Sequence, residues 1–319
     1  MMSALSRDRA ATRTEVEQIA SGLGIPCRRD EPLGPRTTMG VGGPTPALLL
    51  PGTAEALAAL VRALRGAGVR FRVLGAGSNI IVDDAGIADP VISTEALPSG
   101  PEQRGTSVWA GAGLLLPRLV REMAPAGIGG FEFLEGIPGT VGGALAMNAG
   151  AGGRWIGDVV LSVEAVAPDG TTVAHKPAPG DFGYRRSFVA QQGLLVTGAV
   201  LQGAPGDPEQ IRERIRDNRA YRVATQPLSE RSSGCIFRNP EGDSAGALLD
   251  RLALKGAAEG GAVLSERHAN FIVNRGGSSA DIRRLIGRLR AAVQAQAGVD
   301  LHLEVIVWSD TDSSHGSAA

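Results

Sequence analysis

Apolar residues at Leu57, Leu60, Val61 and Leu64 recur at steps of three and four, and Thr53 stands just ahead of them. That pattern predicts a helix from Ala54 to about Gly66 with Thr53 as its cap. Similar spacing predicts helices over Leu115 to Met123, Ser244 to Leu254, and from Ser279 or Asp281 to about Ala297, with a shorter amphipathic helix around Val16 to Leu23. Gln210 to Tyr221 is charged nearly all round and reads as a solvated structural helix. Short apolar runs at Ala47 to Leu50, Phe71 to Leu74, Ile80 to Val82, Val159 to Val166, Thr171 to Ala174 and Gly193 to Leu201 read as strands. Pro168-Asp-Gly170 turns one of these back on the next. Two more strands are expected near the end. One is entered through the polar residues of Ser265 to Asn274. The other is Leu301 to Trp308, with Leu301, Leu303 and Val305 on one face and His302 and Glu304 on the other.

Glycine breaks this pattern. The segment Phe131 to Gly152, FEFLEGIPGTVGGALAMNAGAG, carries Gly136, Gly139, Gly142, Gly143, Gly150 and Gly152 with Pro138 and Thr140 among them. Such a segment suits neither a long helix nor a regular strand; it suits a backbone that bends tightly and approaches a ligand closely. The amides of Gly139 to Gly143 are expected to converge on one anionic group, with Ala144 to Asn148 continuing as a short helical or packed segment. A second cluster, Gly75-Ala-Gly-Ser-Asn79, lies between two predicted strands. A dinucleotide fold needs a third glycine and a helix directly after the turn, and here a strand follows, so that reading is rejected. No GxxxxGK[ST] occurs. A phosphate cradle between strands, with Ser78 and Asn79 adding side-chain bonds, fits better.

The 319 residues allow two or three domains, and a net charge of −1 with few aromatics argues against nucleic acid as a partner. No apolar run approaches the ~20 residues of a membrane span. The first residues lack the apolar core of a secretory signal, and Cys27 and Cys235 are too few for a disulfide framework. A cytoplasmic setting is the expectation. His175, His268, His302 and His315 have no zinc-like spacing with cysteine.

Five stretches stand in one order: TTMGVGG, LGAGSN, GIPGTVGGALAMNAGA, YRRS with SSGCIFRNP, and HANFIVN with LEV. From about Arg36 to Trp308 the chain resembles the UDP-N-acetylenolpyruvoylglucosamine reductase family, in the shorter form without the tyrosine-bearing insert. The resemblance implies an α+β protein: an FAD-binding domain of the vanillyl-alcohol-oxidase (PCMH) type followed by a smaller α+β substrate domain. It implies reduction of an enolpyruvyl UDP-sugar to UDP-N-acetylmuramate, with NADPH as hydride donor, non-covalent FAD passing hydride from N5 to C3, and a proton added at C2. Expected domains are a lead-in over 1–23, the FAD-binding domain over 24–204, with Gly203 to Pro208 as linker, the substrate domain over 205–308, and a disordered tail over 309–319. A monomer is expected.

Carried onto this sequence, the resemblance places FAD against Gly75, Ala76, Gly77, Ser78, Asn79, Gly136, Ile137, Pro138, Gly139, Thr140, Gly142, Gly143 and Asn148. Arg185 takes the family's catalytic arginine position, stabilising charge on the substrate carboxylate. Cys235 stands where the family commonly has a proton-donating serine, and a nearby arginine is expected to favour its thiolate and so limit activity at high pH. Glu304 is expected to orient the enolpyruvyl end with Arg185. Tyr184, Arg222 and Asn239 are expected at the substrate; Gln226 and Ser265 to Asn274 are either structural or substrate-lining. Two other readings stay open: another flavin oxidoreductase on the same fold, and a flavin- or nucleotide-sugar-binding protein without turnover.

Overall fold

The structure, a computed structural model, describes residues 4–310. Its helices are α1 (Ala4–Gly22), α2 (Ala54–Gly66), α3 (Leu116–Met123), α4 (Val141–Met147), α5 (Phe188–Gln191), α6 (Pro208–Thr225), α7 (Ala245–Arg251) and α8 (Ser279–Ala297). Helix α2 begins where the pattern puts it: the Thr53 hydroxyl accepts from the Ala56 amide, and Leu57, Leu60, Val61 and Leu64 are buried. Helix α1 is longer than the helix expected around Val16 to Leu23, with Val16 and Ala20 packed inward. Helix α8 is capped by Ser278, one residue before the expected start, in a reciprocal box with Asp281.

Two sheets build the first part. A mixed sheet has the order Cys27–Pro32, Pro44–Leu49, Val91–Ser93, Arg72–Leu74; its first pair is antiparallel and the others parallel. An antiparallel sheet has the order Thr172–His175, Val160–Val166, Leu195–Gln202, Ser107–Gly111, Glu102–Arg104. The main core fills the space between them, α1, α2, α3 and α4. A three-stranded antiparallel sheet, Ala258–Glu259, Ala262–Leu264, Ile272–Asn274, packs with α7 and α8 in the second part.

The two parts are not simply consecutive. Met39, Val41 and Ile81 belong to the second core, while Trp308 closes a small third core with Leu48, Leu74 and Val91. The strand Ile306–Trp308 pairs in parallel with Ile80–Val82. The expected strand over Leu301 to Trp308 is therefore regular only in its last three residues; the chain bends at Glu304. Ser309 and Asp310, placed in a disordered tail by the sequence, dock instead: Asp310 accepts from the Ala88 amide and Ser309 is buried. The rest of that tail lies outside the described residues.

The segment Gly203 to Pro208 is not a free linker either. Ala204–Pro205 pairs with Ile128–Gly129 of the first part. Helix α6 is likewise not simply solvated. Arg214 meets buried Glu132 at 2.8 Å, Arg219 approaches buried Glu135 at 3.5 Å, and the Asn218 amide donates to the Glu132 carbonyl. Arg214 and Arg219 are held by carboxylates on another segment, and no periodicity within the helix could reveal that.

Candidate active site

Helix α4 begins inside the central glycine segment. Thr140 is its cap, so the helix starts three residues before the expected Ala144. This spends part of the expected nest of donors. The Val141 amide donates to the Leu114 carbonyl, the Gly142 amide to the Ala112 carbonyl, and the Gly143 amide to the Thr140 hydroxyl. Only Gly139 and Thr140 of that run keep amides without a protein acceptor among the described residues. The other loop retains more: the amides of Ala76, Gly77 and Ser78 have no protein acceptor among the described residues.

The two loops abut. A Cβ added to Gly75 would lie 2.7 Å from the Thr140 hydroxyl, and one on Gly139 would lie 3.3 Å from the Ser78 hydroxyl. Gly77, at φ +62°, sits against the Arg36 carbonyl, where a Cβ would come to 2.1 Å, and its own carbonyl accepts from the Thr38 amide. The TTMGVGG stretch is thus the backing of the Gly75 to Asn79 turn. Thr38 also places a buried hydroxyl without a partner at the same cavity.

The cavity has a volume of about 1420 Å³. That exceeds the roughly 300–1,000 Å³ of a site for one small ligand. Both glycine loops line it, as do Arg185, Arg222, Cys235, Asn239 and Glu304, which come from distant parts of the chain.

Arg185 sits at the tip of a hairpin in which Phe182 pairs with Ser187 and Gly183 with Arg186. Its φ of +50° is uncommon for a side chain with a Cβ. Its Nε lies 2.7 Å from Glu304 Oε1. The contact is an ion pair, not an aligned hydrogen bond, because the Nε–H finds no acceptor at a favourable angle. Burial pushes the Glu304 carboxyl up, and Arg185 opposes that shift. The Glu304 carbonyl accepts from the Asn79 side-chain amide, and the Asn79 carbonyl accepts from the Ile306 amide. The glycine turn therefore fixes Glu304 as well as lining the cavity.

Cys235 faces the cavity but is otherwise enclosed by protein. Burial first, then the Glu304 carboxylate, push its thiol up to about 12, against the pull of Arg185, Arg222 and Asn270. The expected thiolate is overturned: desolvation outweighs the arginines, and the group keeps its proton throughout the physiological range. The loop is pinned by Asn270, which the sequence reading left unresolved. Its side chain donates to the Phe237 carbonyl and accepts from the Phe237 amide, at 2.8 and 2.9 Å. The signal was a polar residue directly before the apolar run Phe271 to Val273. Ser233, two residues before Cys235, is buried with an unpartnered hydroxyl beside the cavity, and nothing in the motif reading marked it.

Arg222 lies against Gly136, and burial pushes its guanidinium down from the usual arginine range. Its bonds go to the Gly136 carbonyl and the Gln226 side chain, and no carboxylate pairs with it among the described residues. Asn239 reaches the cavity while its side-chain oxygen accepts from the Ala245 amide. Tyr184 stays outside the lining; its hydroxyl accepts from the Asn239 amide. Asn148 also stays outside: it is 3% exposed, and both ends of its side chain are used within the protein. The expectation that it touches the cofactor does not match this placement.

A strand-rich unit whose glycine loops and hairpin arginine, Arg185, meet over a large cavity, closed by a smaller α+β unit that brings in a protonated thiol and a carboxylate, defines a flavin-dependent oxidoreductase. Residues 45–175 match the family described as FAD binding domain, and residues 226–308 match UDP-N-acetylenolpyruvoylglucosamine reductase, C-terminal domain. The reductase of that name from Desulfosudis oleivorans is 42% identical over 291 residues, covering 87% of this chain and 93% of the relative. That from Bacillus subtilis is 38% identical over 279 residues, covering 86% and 92%. The crystal structure of the Thermus caldophilus reductase superposes with a TM-score of 0.74 at 37% identity, covering 89% of this chain and 99% of that one. The chain belongs to the UDP-N-acetylenolpyruvoylglucosamine reductase family.

Proposed function

We propose that this protein is an NADPH-dependent flavoenzyme that reduces UDP-N-acetylglucosamine enolpyruvate to UDP-N-acetylmuramate for peptidoglycan precursor synthesis. The observation that carries the reading is the convergence of Arg185, Cys235 and Glu304 on the cavity lined by both glycine loops.

The residues present fit FAD. The free amides of Ala76 to Ser78 and of Gly139 and Thr140 would hold its pyrophosphate, and the unpartnered Thr38 hydroxyl offers a further bond. No His or Cys lies in either loop to form a covalent link, so it is held non-covalently. When bound, FAD supplies the redox chemistry, accepting a hydride from NADPH and returning it to C3 of the enolpyruvyl group.

The chain's own residues do the rest. Reduction at C3 leaves negative charge on C2 and its carboxylate. The Arg185 guanidinium offers donors to that carboxylate, and Glu304 holds the guanidinium from its other side. Cys235 keeps a proton available for C2, since its thiol stays neutral up to about 12. Arg222, half-buried and without a carboxylate partner among the described residues, is a waiting site for substrate phosphate. Asn239 lies at the substrate end, and Tyr184 steadies it through its backbone amide.

A neutral, enclosed thiol beside an arginine suits a reaction that ends in protonation, which an alcohol oxidase or a passive binder does not require. No helix among the described residues is long and apolar enough to cross a membrane. The two free cysteines suit a reducing compartment, and we propose that the enzyme is cytoplasmic and acts as a monomer.

Arg185→Lys tests the reading, because lysine keeps the charge and loses the fork. Stopped flow should show flavin reoxidation by substrate slowed by about 10²-fold, with flavin reduction by NADPH nearly unchanged. Equal slowing of both half-reactions would assign Arg185 to the fold or the flavin, and a wild type that the substrate cannot reoxidise would sink the reading itself.

A further inference from the structure

Asn148 is buried, and the function above leaves it without a task. It ends α4 in the left-handed region, at φ +45°. Its side-chain nitrogen donates to the Gly183 carbonyl at 2.9 Å, and its side-chain oxygen accepts from the Gly157 amide at 3.1 Å. Gly183 is the residue two before Arg185, in the first strand of the hairpin that presents it. Gly157 is fitted to this arrangement: a Cβ there would fall 2.6 Å from Phe182 and 2.9 Å from the Asn148 oxygen.

We infer that Asn148 is a positioning residue for Arg185, holding the hairpin against the end of α4. Arg185 needs such support because its own backbone is in a sparsely populated conformation. The other end of α4 is capped by Thr140, in the loop assigned above to FAD. A seven-residue helix, about 10 Å long, thus spans from the cofactor loop to the arginine that meets the substrate. Asn148 sets the arginine's distance from the cofactor without touching either ligand. This inference rests on the reading of Arg185 given above.

The test is Asn148→Gly, which tolerates the left-handed backbone and removes both side-chain bonds. Hydrogen exchange on the purified protein should rise at the amides of 182–187 and stay unchanged in α2. FAD content and the NADPH half-reaction should match the wild type. Reoxidation by substrate should slow by about 10–100-fold, the scale of a small misplacement of a reacting group. Asn148→Asp, which keeps the acceptor for Gly157 and loses the donor to Gly183, should fall between them. In an Arg185→Lys background Asn148→Gly should add little further loss, because it acts through the arginine. An unchanged substrate half-reaction would overturn the inference, as would equal slowing of both half-reactions or full additivity with Arg185→Lys. If wild type itself is not reoxidised by substrate, the underlying functional reading fails instead, whatever the exchange data show.

Discussion

The residue that decides most here is Cys235. A thiol donates a proton only while it is neutral, and burial with the Glu304 carboxylate raises this one from 9.0 to about 12. Activity should therefore show no alkaline limb from Cys235 below about pH 10, and Cys235→Ser should leave the shape of the pH–rate profile unchanged there. Cys235→Ala should slow substrate-driven reoxidation by about 10²–10⁴-fold while NADPH still bleaches the flavin. A wild-type profile that falls near pH 8 and is straightened by the serine would show an ionised thiol and overturn this reading. Stability follows the same sign. The folded protein holds this proton more tightly than the unfolded chain, so its contribution is complete below pH 9.0 and is lost as pH rises toward 12. At pH 10 the wild type should have lost about 1 kcal/mol that Cys235→Ser retains, which denaturant titration at the two pH values would measure. Alkylation at pH 8 should be slow for the same reason, since only the thiolate attacks.

At the scale of elements, the glycine loops do two different jobs. Gly77 is required by the protein itself, because its backbone is left-handed and the Arg36 carbonyl fills the space of a side chain. Gly143 is not: a Cβ there would meet only the Thr140 hydroxyl, at 3.6 Å, and otherwise open space in the cavity. Gly143→Ala should leave the melting temperature of FAD-free protein within about 1–2 °C of wild type, because alanine suits a helix. It should weaken FAD binding, measured by flavin fluorescence, by at least about tenfold. Unchanged FAD affinity would mean that the cofactor does not approach this face of α4. The cap at Thr53 and the apolar stripe of α2 were legible in the sequence because both depend on neighbours within a few residues. The loss of the Val141 and Gly142 amides to the Leu114 and Ala112 carbonyls was not, because those acceptors come from a segment about 28 residues earlier.

At the scale of the molecule, the C-terminal strand ties the second part into the first. Trp308 is 3% exposed among Leu48, Leu74 and Val91, with the Arg72 guanidinium 5.5 Å from its ring. Trp308→Ala should cost about 3–5 kcal/mol. It should also reduce FAD retention, since Ile306–Trp308 pairs with the strand that leaves the Gly75 to Asn79 turn. Urea denaturation followed by flavin release would check both, and loss of stability with full FAD retention would separate the tie from the cofactor turn. The sequence by itself determined the class of fold, the α2 and α8 helices and the two glycine turns, because motif and periodicity are local properties of the chain; Arg185, Cys235 and Glu304 were pointed to by the family resemblance, and the structure lines one cavity with them. Tertiary structure alone decided the rest. It turned charged α6 toward buried Glu132 and Glu135, bent the last strand at Glu304, and took Asn148 out of the cavity to hold a hairpin. It also kept a proton on Cys235, because burial is set by every segment that surrounds a group, and its cost to a charge outweighed the pull of Arg185 and Arg222.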